Sequence, residues 1–319
     1  MKKIRWGIIA PGKIAHEFAH DFQFVKYGEL KAVASRSQER ADNFAARYGI
    51  PKAYGSYAEL YADKEIDAIY VATPHTFHHE NSTDALNSGK AVLCEKPITV
   101  NTAECDSLIA LAKEKNQYLM EGMWTYFLPA IQKASEWINT GRIGRVLSIK
   151  ADFGNAVPFD AESRMYNPAL SGGTLLDMGI YPLAITWLIY KKDPINISVI
   201  SRKASTGVDN DVNMQFEYED EVASLHSSFR SKLNNHAYII GEKGYVDLPD
   251  FWHAHECLLC DNSDKVIDRF EDNRKGVGFE FEIDSVSHDI LNGLKQSEVM
   301  PLAYSRKLQE HMQMVMEKF

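Results

Sequence analysis

A lysine at the end of a short apolar strand is the residue whose placement most strongly suggests chemistry. Residues 91–94 have the pattern of a strand, and Glu95-Lys96-Pro97 follows directly. In open α/β sheets, ligands bind at the carboxyl ends of the strands. Lys96 is therefore predicted to lie beside a cleft, where an ammonium group can donate a proton or anchor negative charge.

A second reactive group lies on a predicted helix in the other half of the chain. Asp177 and Tyr181 are four residues apart within residues 175–189, so an α-helix would place them on one face. A phenol suits general acid–base catalysis when a nearby cation stabilises its phenolate. Alone, Tyr181 would be an ordinary half-buried core tyrosine. Beside Lys96 it predicts an acid–base pair, with Asp177 orienting the lysine or a substrate hydroxyl.

Two segments with different hydrophobic patterns must position these groups. Over the first ~120 residues strands and helices alternate, which is typical of a doubly wound parallel sheet. After a turn at residues 141–144, two-residue alternation becomes common, as in antiparallel strands. We predict an α/β fold with an N-terminal Rossmann domain over residues 1–122. Residues 123–319 should form an α+β domain with a large, mostly antiparallel open sheet, and the last helix could pack back on the first domain.

The turn after the first predicted strand has the context of a dinucleotide-binding site. Its glycine fingerprint is degenerate, because Ala10 stands where the first glycine is usual. Gly12 would let the backbone approach a pyrophosphate, and the helix that follows would offer free N–H groups to it. The residues of this turn predicted to bind cofactor are Ala10, Gly12, Lys13 and Ile14.

The end of the second predicted strand favours NADP(H) over NAD(H). A site for NAD places Asp or Glu there, to bind the ribose hydroxyls. This chain instead has Ser35-Arg36-Ser37, with Arg40 about one helical turn further on. A guanidinium and two hydroxyls suit a 2′-phosphate, and no carboxylate stands there to repel it.

Further cofactor contacts are predicted from the turns that follow the later strands. The turn after the third predicted strand should lie under the nicotinamide ribose and diphosphate, and its two histidines are about equally suited to a structural or a functional role. The predicted contacts are Thr73, Pro74, His75, His78, Glu95, Lys96 and Trp124.

Composition excludes several classes of function. The chain has 319 residues and a net charge of −9, which argues against binding nucleic acid or an anionic membrane. No apolar run in the sequence approaches the ~20 residues of a membrane span. Four cysteines without the spacing of a disulfide framework fit a reducing cytoplasm. We expect a cytoplasmic protein that acts on a small molecule.

Three motifs, in order and over nearly the whole chain, resemble the Gfo/Idh/MocA family of oxidoreductases. With tyrosine at position 181, the chain resembles the subgroup that contains dimeric dihydrodiol dehydrogenases and NADP-dependent D-xylose dehydrogenases. Many sugar dehydrogenases of the family have histidine at this position. The motifs are Thr73-Pro74-x-x-x-His78, Gly89-Lys90-x-Val92-Leu93-Cys94-Glu95-Lys96-Pro97 and Gly172-Gly173-x-Leu175-x-Asp177-x-Gly179-x-Tyr181.

The resemblance implies an NADP(H)-dependent dehydrogenase for a secondary alcohol of a sugar or a cyclic trans-diol. It also implies Lys96 and Tyr181 as the catalytic pair, and a homodimer joined through the open sheet. In that frame aromatic rings would wall the substrate pocket, and Arg164 would contact substrate or cofactor. The predicted substrate-binding residues are Trp124, Phe127, Phe153, Arg164, Asp177, Tyr181 and Phe279.

Two other functions are compatible with the same fold. A sugar-modifying hydrolase can retain a cofactor for transient oxidation, but such enzymes typically use NAD, against which Arg36 argues. A cofactor-sensing regulatory protein would be expected to lose the catalytic pair, which this chain keeps.

A cluster of histidine and cysteine side chains near residue 255 has the residue types of a zinc site. His253, His255, Cys257 and Cys260 would need a turn before the last of them, yet Leu258-Leu259 between the cysteines is not turn-like. We therefore predict no metal.

Overall fold

The chain divides into two compact units, each built around one sheet. The computed structural model describes residues 2–319, and residues 2–127 with 275–306 form the first unit. The second unit contains residues 128–274 and 307–319. The first unit therefore extends a few residues beyond the predicted boundary at 122 and takes a late segment that the prediction assigned to the second domain.

Strands and helices follow one another along the chain, and in the first unit they include two short elements that the sequence pattern did not predict, β3 and α3. In order they are β1 (Ile4–Ile9), α1 (Lys13–Asp21), β2 (Gly28–Ala34), α2 (Gln38–Tyr48), β3 (Lys52–Tyr54), α3 (Tyr57–Ala62), β4 (Ala68–Val71), α4 (His78–Asn87), β5 (Ala91–Glu95), α5 (Thr102–Glu114), β6 (Leu119–Gly122), α6 (Pro129–Asn139), β7 (Val146–Gly154), α7 (Ile180–Tyr190), β8 (Asn196–Lys203), β9 (Asp209–Glu217), β10 (Val222–Ser228), β11 (Ala237–Gly241), β12 (Gly244–Leu248), β13 (Glu256–Asp261), β14 (Val266–Glu271), α8 (Phe279–Leu291) and α9 (Leu302–Met316).

The first unit contains a six-stranded parallel sheet in the order β3-β2-β1-β4-β5-β6. Strand β4, at the centre of the sheet, is apolar along its whole length and buried at every residue, as expected when both faces of a parallel sheet are covered. The order reverses at β1 and β4, which is where sheets of this kind bind ligands. The predicted Rossmann architecture is confirmed.

The late segment joins the first unit through a buried aspartate. Asp21, at the end of α1, is fully buried, and its carboxylate accepts N–H groups from Val277, Gly278 and Phe279 at 3.0, 2.9 and 2.9 Å. These are the unpaired donors at the start of α8, and a negative charge there also suits the helix dipole. Asp21 therefore supplies from α1 the cap that α8 lacks in its own sequence.

The second unit contains an eight-stranded sheet in the order β14-β13-β12-β11-β7-β10-β9-β8. Among the described strand pairs of this eight-stranded sheet, only β7 with β10 is parallel, and the others are antiparallel. The predicted mostly antiparallel open sheet is confirmed. The strands alternate buried and exposed residues, as in β9, because one face packs on helices. Strands β13 and β14 were not predicted.

One helical run of the second unit is longer than the sequence pattern indicated. Pro168–Tyr190 has the length and composition of a membrane span, contrary to the expectation that no apolar run approaches that length. However, 83% of that apolar window is buried inside the structure. Such burial is typical of a core helix of a globular domain.

Candidate active site

The turn between β1 and α1 has the backbone shape of a nucleotide-binding loop although its first glycine is missing. Ala10 adopts a left-handed conformation with φ of 61°, the geometry that glycine usually provides. The Gly12 N–H donates to the Ala10 carbonyl at 2.7 Å, and a Cβ at Gly12 would meet only that oxygen, at 3.9 Å. The loop thus leaves room for a pyrophosphate at the start of α1, whose first residues are Lys13 and Ile14.

Four of the predicted cofactor residues line one cavity in the first unit. This cavity has a volume of about 870 Å³ and is lined by Ala10, Arg36, Thr73 and Pro74, among others. Its wall also contains Tyr57, Tyr61 and Phe77, which the sequence analysis did not assign to a site. Their signal was weak because two of them lie on α3, an element too short to be recognised from its pattern.

Arg36 is one of three basic residues that line the cavity, with Lys64 and Lys90, and it is exposed. It forms no ion pair with any residue in the described range 2–319. Ser35 and Ser37 shape the loop around it: the Ser35 hydroxyl accepts the Ser37 N–H at 3.3 Å, and the Ser37 hydroxyl accepts the Arg40 N–H at 3.4 Å as the cap of α2. Both hydroxyls can still donate to an anion. Arg40 is exposed on the first turn of α2.

The turn that carries Lys96 is braced by two buried carboxylates of the first unit. Glu95 accepts the Lys96 N–H at 3.2 Å and also a hydrogen bond from the Tyr70 hydroxyl. Glu121 accepts the Ile98 N–H at 2.8 Å. The Lys96–Pro97 peptide bond is cis, and Lys96 itself is half-buried. The backbone on both sides of Lys96 is therefore held by carboxyl oxygens that accept its N–H groups.

These carboxylates belong to an unusually acidic interior. Burial raises the pKa of Glu121 to about 7. Burial also raises the pKa of Glu282 on α8 far above its ordinary value, and the charges of Glu95 and Glu121 contribute to that rise. Glu282 is fully buried, and neither of its carboxylate oxygens has a hydrogen-bond partner among the residues that the structure describes. Its carboxyl group is therefore neutral at pH values where an exposed glutamate is charged.

The two predicted histidines of the Thr73-Pro74 turn are both buried. Their rings lie 5.7 Å apart in an edge-to-face arrangement. Between them, His78 is the more enclosed, with no exposed surface and with both ring nitrogens at backbone carbonyls. Its side chain is thus engaged within the protein rather than directed to a cavity.

Three predicted aromatic residues lie in the first unit and are buried: Trp124, Phe127 and Phe279. Trp124 stacks on Phe279 with ring centroids 4.7 Å apart, and Phe279 meets Phe18 edge-to-face at 5.8 Å. Phe18 in turn stacks on Tyr70, whose hydroxyl bonds Glu95. The structure therefore connects Trp124 and Phe279 to the Lys96 turn through an aromatic series.

Tyr181 lies in the second unit, in an aromatic enclosure. Its ring meets Phe153 edge-to-face at 5.5 Å and Trp252 at 6.2 Å, and Phe153 stacks on Trp252 at 4.8 Å. Tyr181 is only 5% exposed. Trp252 was not predicted as a site residue, although the run Phe251-Trp252-His253 is a visible aromatic signal in the sequence.

Asp177 and Arg164 form an ion pair in the same unit, with Arg164 Nη1 3.0 Å from Asp177 Oδ1. The arginine is half-exposed and the aspartate largely buried. Leu175–Gly179 is a π-helical turn rather than the expected α-helix, and α7 begins only at Ile180. Wider turns of this kind are frequent at functional sites.

A buried aspartate fixes the start of this π-helical turn. Asp209 accepts the Leu175 N–H at 2.7 Å, and burial raises the pKa of Asp209 to about 6. Gly173, with φ of 127°, lies so close that a Cβ there would overlap the Asp209 carboxylate. Gly173 is thus required both for its backbone conformation and for the approach of Asp209.

We expect Gly173→Ala to destabilise the second unit by about 1–3 kcal/mol, because it combines backbone strain with a steric clash. Gly207→Ala is the matched control: its φ is also positive, at 94°, but a Cβ there meets nothing within 4 Å. Urea unfolding of both variants measures the difference. If both variants lose the same free energy of unfolding, the Asp209 carboxylate can move away from the added Cβ without cost.

The four suspected zinc ligands lie on strand β13 and just before it. Among residues 2–319, no three His, Cys, Asp or Glu side chains are grouped so as to hold a metal ion. Cys257 and Cys260 lie on strand β13 and are buried, and burial raises the pKa of Cys257 to about 12. His255 instead lies 3.5 Å from Asp272.

Comparison with known proteins identifies the class to which this fold and these motifs belong. Residues 4–123 match the family model described as an oxidoreductase family with an NAD-binding Rossmann fold. Residues 131–247 match the GFO/IDH/MocA C-terminal domain. The chain belongs to the Gfo/Idh/MocA family of oxidoreductases.

Its relatives include enzymes of known activity. A mouse trans-1,2-dihydrobenzene-1,2-diol dehydrogenase is 36% identical over 317 residues, covering 96% of this chain and 94% of the mouse protein. The human enzyme of the same name is 35% identical, covering 96% of this chain and 93% of its own.

Solved structures share the fold at lower identity. An aldose-aldose oxidoreductase from Caulobacter crescentus, complexed with glycerol, has a TM-score of 0.90 and 22% identity, covering 99% of this chain and 97% of its own. A 3-ketoreductase from Actinomadura kijaniata, in complex with NADP and TDP-benzene, has a TM-score of 0.87 and 23% identity, covering 99% and 98%.

Proposed function

We propose that this protein is an NADP(H)-dependent dehydrogenase that acts on a secondary alcohol of a cyclic trans-diol or a sugar. The observation that carries the proposal is the aromatic enclosure of Tyr181 by Phe153 and Trp252. A flat, apolar wall around a phenol suits a ring-shaped substrate with one face to stack and hydroxyls at its edge. Relatives at 36% and 35% identity are named for such a diol.

The residues of the chain fit a nicotinamide cofactor and divide the remaining chemistry among themselves. When bound, the cofactor supplies the hydride acceptor, and Ala10, Gly12 and the start of α1 would hold its pyrophosphate. Tyr181 takes the proton from the substrate hydroxyl as general base. Lys96 polarises the same oxygen and keeps the phenolate accessible.

The supporting residues complete this assignment. Arg164 holds the Asp177 carboxylate at 3.0 Å. Asp177 orients a substrate hydroxyl or Lys96, as the sequence analysis expected. The further parts of the proposal are a cytoplasmic location and a homodimer formed through the open sheet of the second unit.

The experiment that tests the function is a screen of NADP reduction with cyclic trans-diols, pentoses and hexoses, repeated with NAD. We expect turnover of a trans-diol or a sugar, with a preference for NADP. Activity with none of these alcohols would contradict the substrate class, and a preference for NAD would contradict the role of Arg36.

Arg36→Leu should raise the KM for NADP by about 10–100-fold and leave the KM for NAD nearly unchanged, because a charge-assisted bond to a phosphate contributes roughly 1.5–3 kcal/mol. Arg47→Leu is the matched control, since Arg47 lies in the last turn of α2, away from the loop that carries Arg36, and packs over Tyr48. Steady-state kinetics with both cofactors measures the effect. Equal changes for NADP and NAD would show that Arg36 does not contact the 2′-phosphate.

A further inference from the structure

His78 bridges two turns of the first unit in a way that the sequence analysis did not anticipate. It is the first residue of α4 and has no exposed surface. Its Nδ1 lies 2.7 Å from the Pro97 carbonyl oxygen, and its Nε2 lies 2.8 Å from the Thr73 carbonyl oxygen. Thr73 follows β4, and Pro97 follows β5, so the ring spans the ends of two neighbouring parallel strands.

The two partners of this ring are both acceptors. A neutral imidazole has one N–H donor and one lone pair, whereas a carbonyl oxygen can only accept. A neutral His78 would therefore point a lone pair at one of the two oxygens, at a position with no exposed surface. A ring protonated on both nitrogens donates to both oxygens, and bonds from a charged donor are the stronger kind.

We infer that His78 is held as an imidazolium that ties the turn carrying Lys96 to the Thr73-Pro74 turn. It is a positioning residue and not a cofactor ligand, because both ring nitrogens are used within the protein. Together with Glu95, which accepts the Lys96 N–H, and Glu121, which accepts the Ile98 N–H, it fixes the backbone on each side of Lys96. The importance of this for turnover rests on the proposed role of Lys96.

The protonation state can be measured without any assumption about the reaction. Protein labelled with ¹⁵N in its histidine rings is observed by NMR at neutral pH, and the His78 signals are assigned by their absence from His78→Gln. We expect both ring nitrogens of His78 to have the chemical shifts of protonated nitrogens. A shift typical of an unprotonated ring nitrogen would overturn the inference.

The positioning role is tested by His78→Phe, which keeps an aromatic ring but removes both donors. We expect kcat to fall by about 10–100-fold, because small displacements of a catalytic group are costly, while the Kd for NADPH, measured by fluorescence titration, stays within about threefold of the parent value. His79→Phe is the matched control: His79 is the next residue on α4, and its ring is hydrogen-bonded to the exposed Ser107 hydroxyl at 2.7 Å.

The outcomes separate this inference from the proposed function. A rise in the Kd for NADPH in proportion to the loss of kcat would make His78 a cofactor ligand and overturn the positioning role. An unchanged kcat would overturn it as well. If the parent protein oxidises none of the alcohols tested, the proposed function fails, yet the NMR experiment still decides whether His78 is the double donor.

Discussion

Tyr181→Phe is expected to lower kcat by about 10²–10⁴-fold, the usual contribution of a general acid or base, while the Kd for NADPH stays unchanged. The change removes only the hydroxyl. The ring contacts to Phe153 and Trp252 are aromatic and persist with phenylalanine, so the enclosure should keep its shape. Stopped-flow or steady-state assays with the best substrate of the screen measure the loss.

Tyr190→Phe is the matched control for this experiment. Tyr190 ends the same helix, α7, and its hydroxyl donates to the exposed Val222 carbonyl at 3.1 Å. We expect this variant to keep the parent activity, because it loses one exposed hydrogen bond far from the aromatic enclosure. Near-normal turnover by Tyr181→Phe would refute the proposed general base. A loss shared by both variants would point instead to the stability of α7.

The parts of this protein that could be predicted from sequence are those with long, regular hydrophobic patterns. The β1 strand and the start of α1 have such a pattern, and so does the alternation that indicates the open sheet. Strand β3 was missed because it has only three residues, all half-buried, with no apolar run to reveal it. Strand β13 was missed because its cysteines suggested metal ligands, although they are simply buried strand residues.

The candidate site was predictable where a motif fixes chemistry and not where packing fixes it. The Glu95-Lys96-Pro97 motif indicated a lysine at a strand end, and the structure places Lys96 directly after β5. Arg36, predicted from Ser35-Arg36 to bind cofactor, lines the cavity of the first unit, and its role there stays a prediction. The π-helical turn at Leu175–Gly179 leaves no periodic signal, because it depends on the buried Asp209 bond to the backbone. Trp252 was missed because its aromatic partners come from elements that are distant in the sequence.

Glu282→Gln is expected to stabilise the protein increasingly as pH rises. The folded chain keeps the Glu282 proton, because burial and, to a lesser degree, the charges of Glu95 and Glu121 raise the pKa of its carboxyl group. The unfolded chain loses this proton near the ordinary glutamate pKa of ~4.3. Above that value the folded state binds more protons than the unfolded state, so the free energy of unfolding falls with rising pH until the folded pKa is passed. Glutamine has the same shape and does not titrate, so the variant escapes this loss.

Within that window the free energy of unfolding of Glu282→Gln should exceed that of the parent by about 1.4 kcal/mol more for each pH unit. Urea unfolding at several pH values between 5 and 8, about one unit apart, measures this difference between variant and parent.

Glu114→Gln is the control, because Glu114 is exposed at the end of α5 and its substitution should leave the pH profiles of variant and parent parallel. Parallel profiles for Glu282→Gln would mean that Glu282 is ionised in the folded state. A uniform loss of stability at every pH would mean that its carboxyl group makes a bond that glutamine cannot replace. Divergence with the predicted sign would instead show that Glu282, whose pKa the charges of Glu95 and Glu121 help to raise, costs the protein stability at neutral pH. Such a cost is expected where a site places several carboxyl groups in one interior.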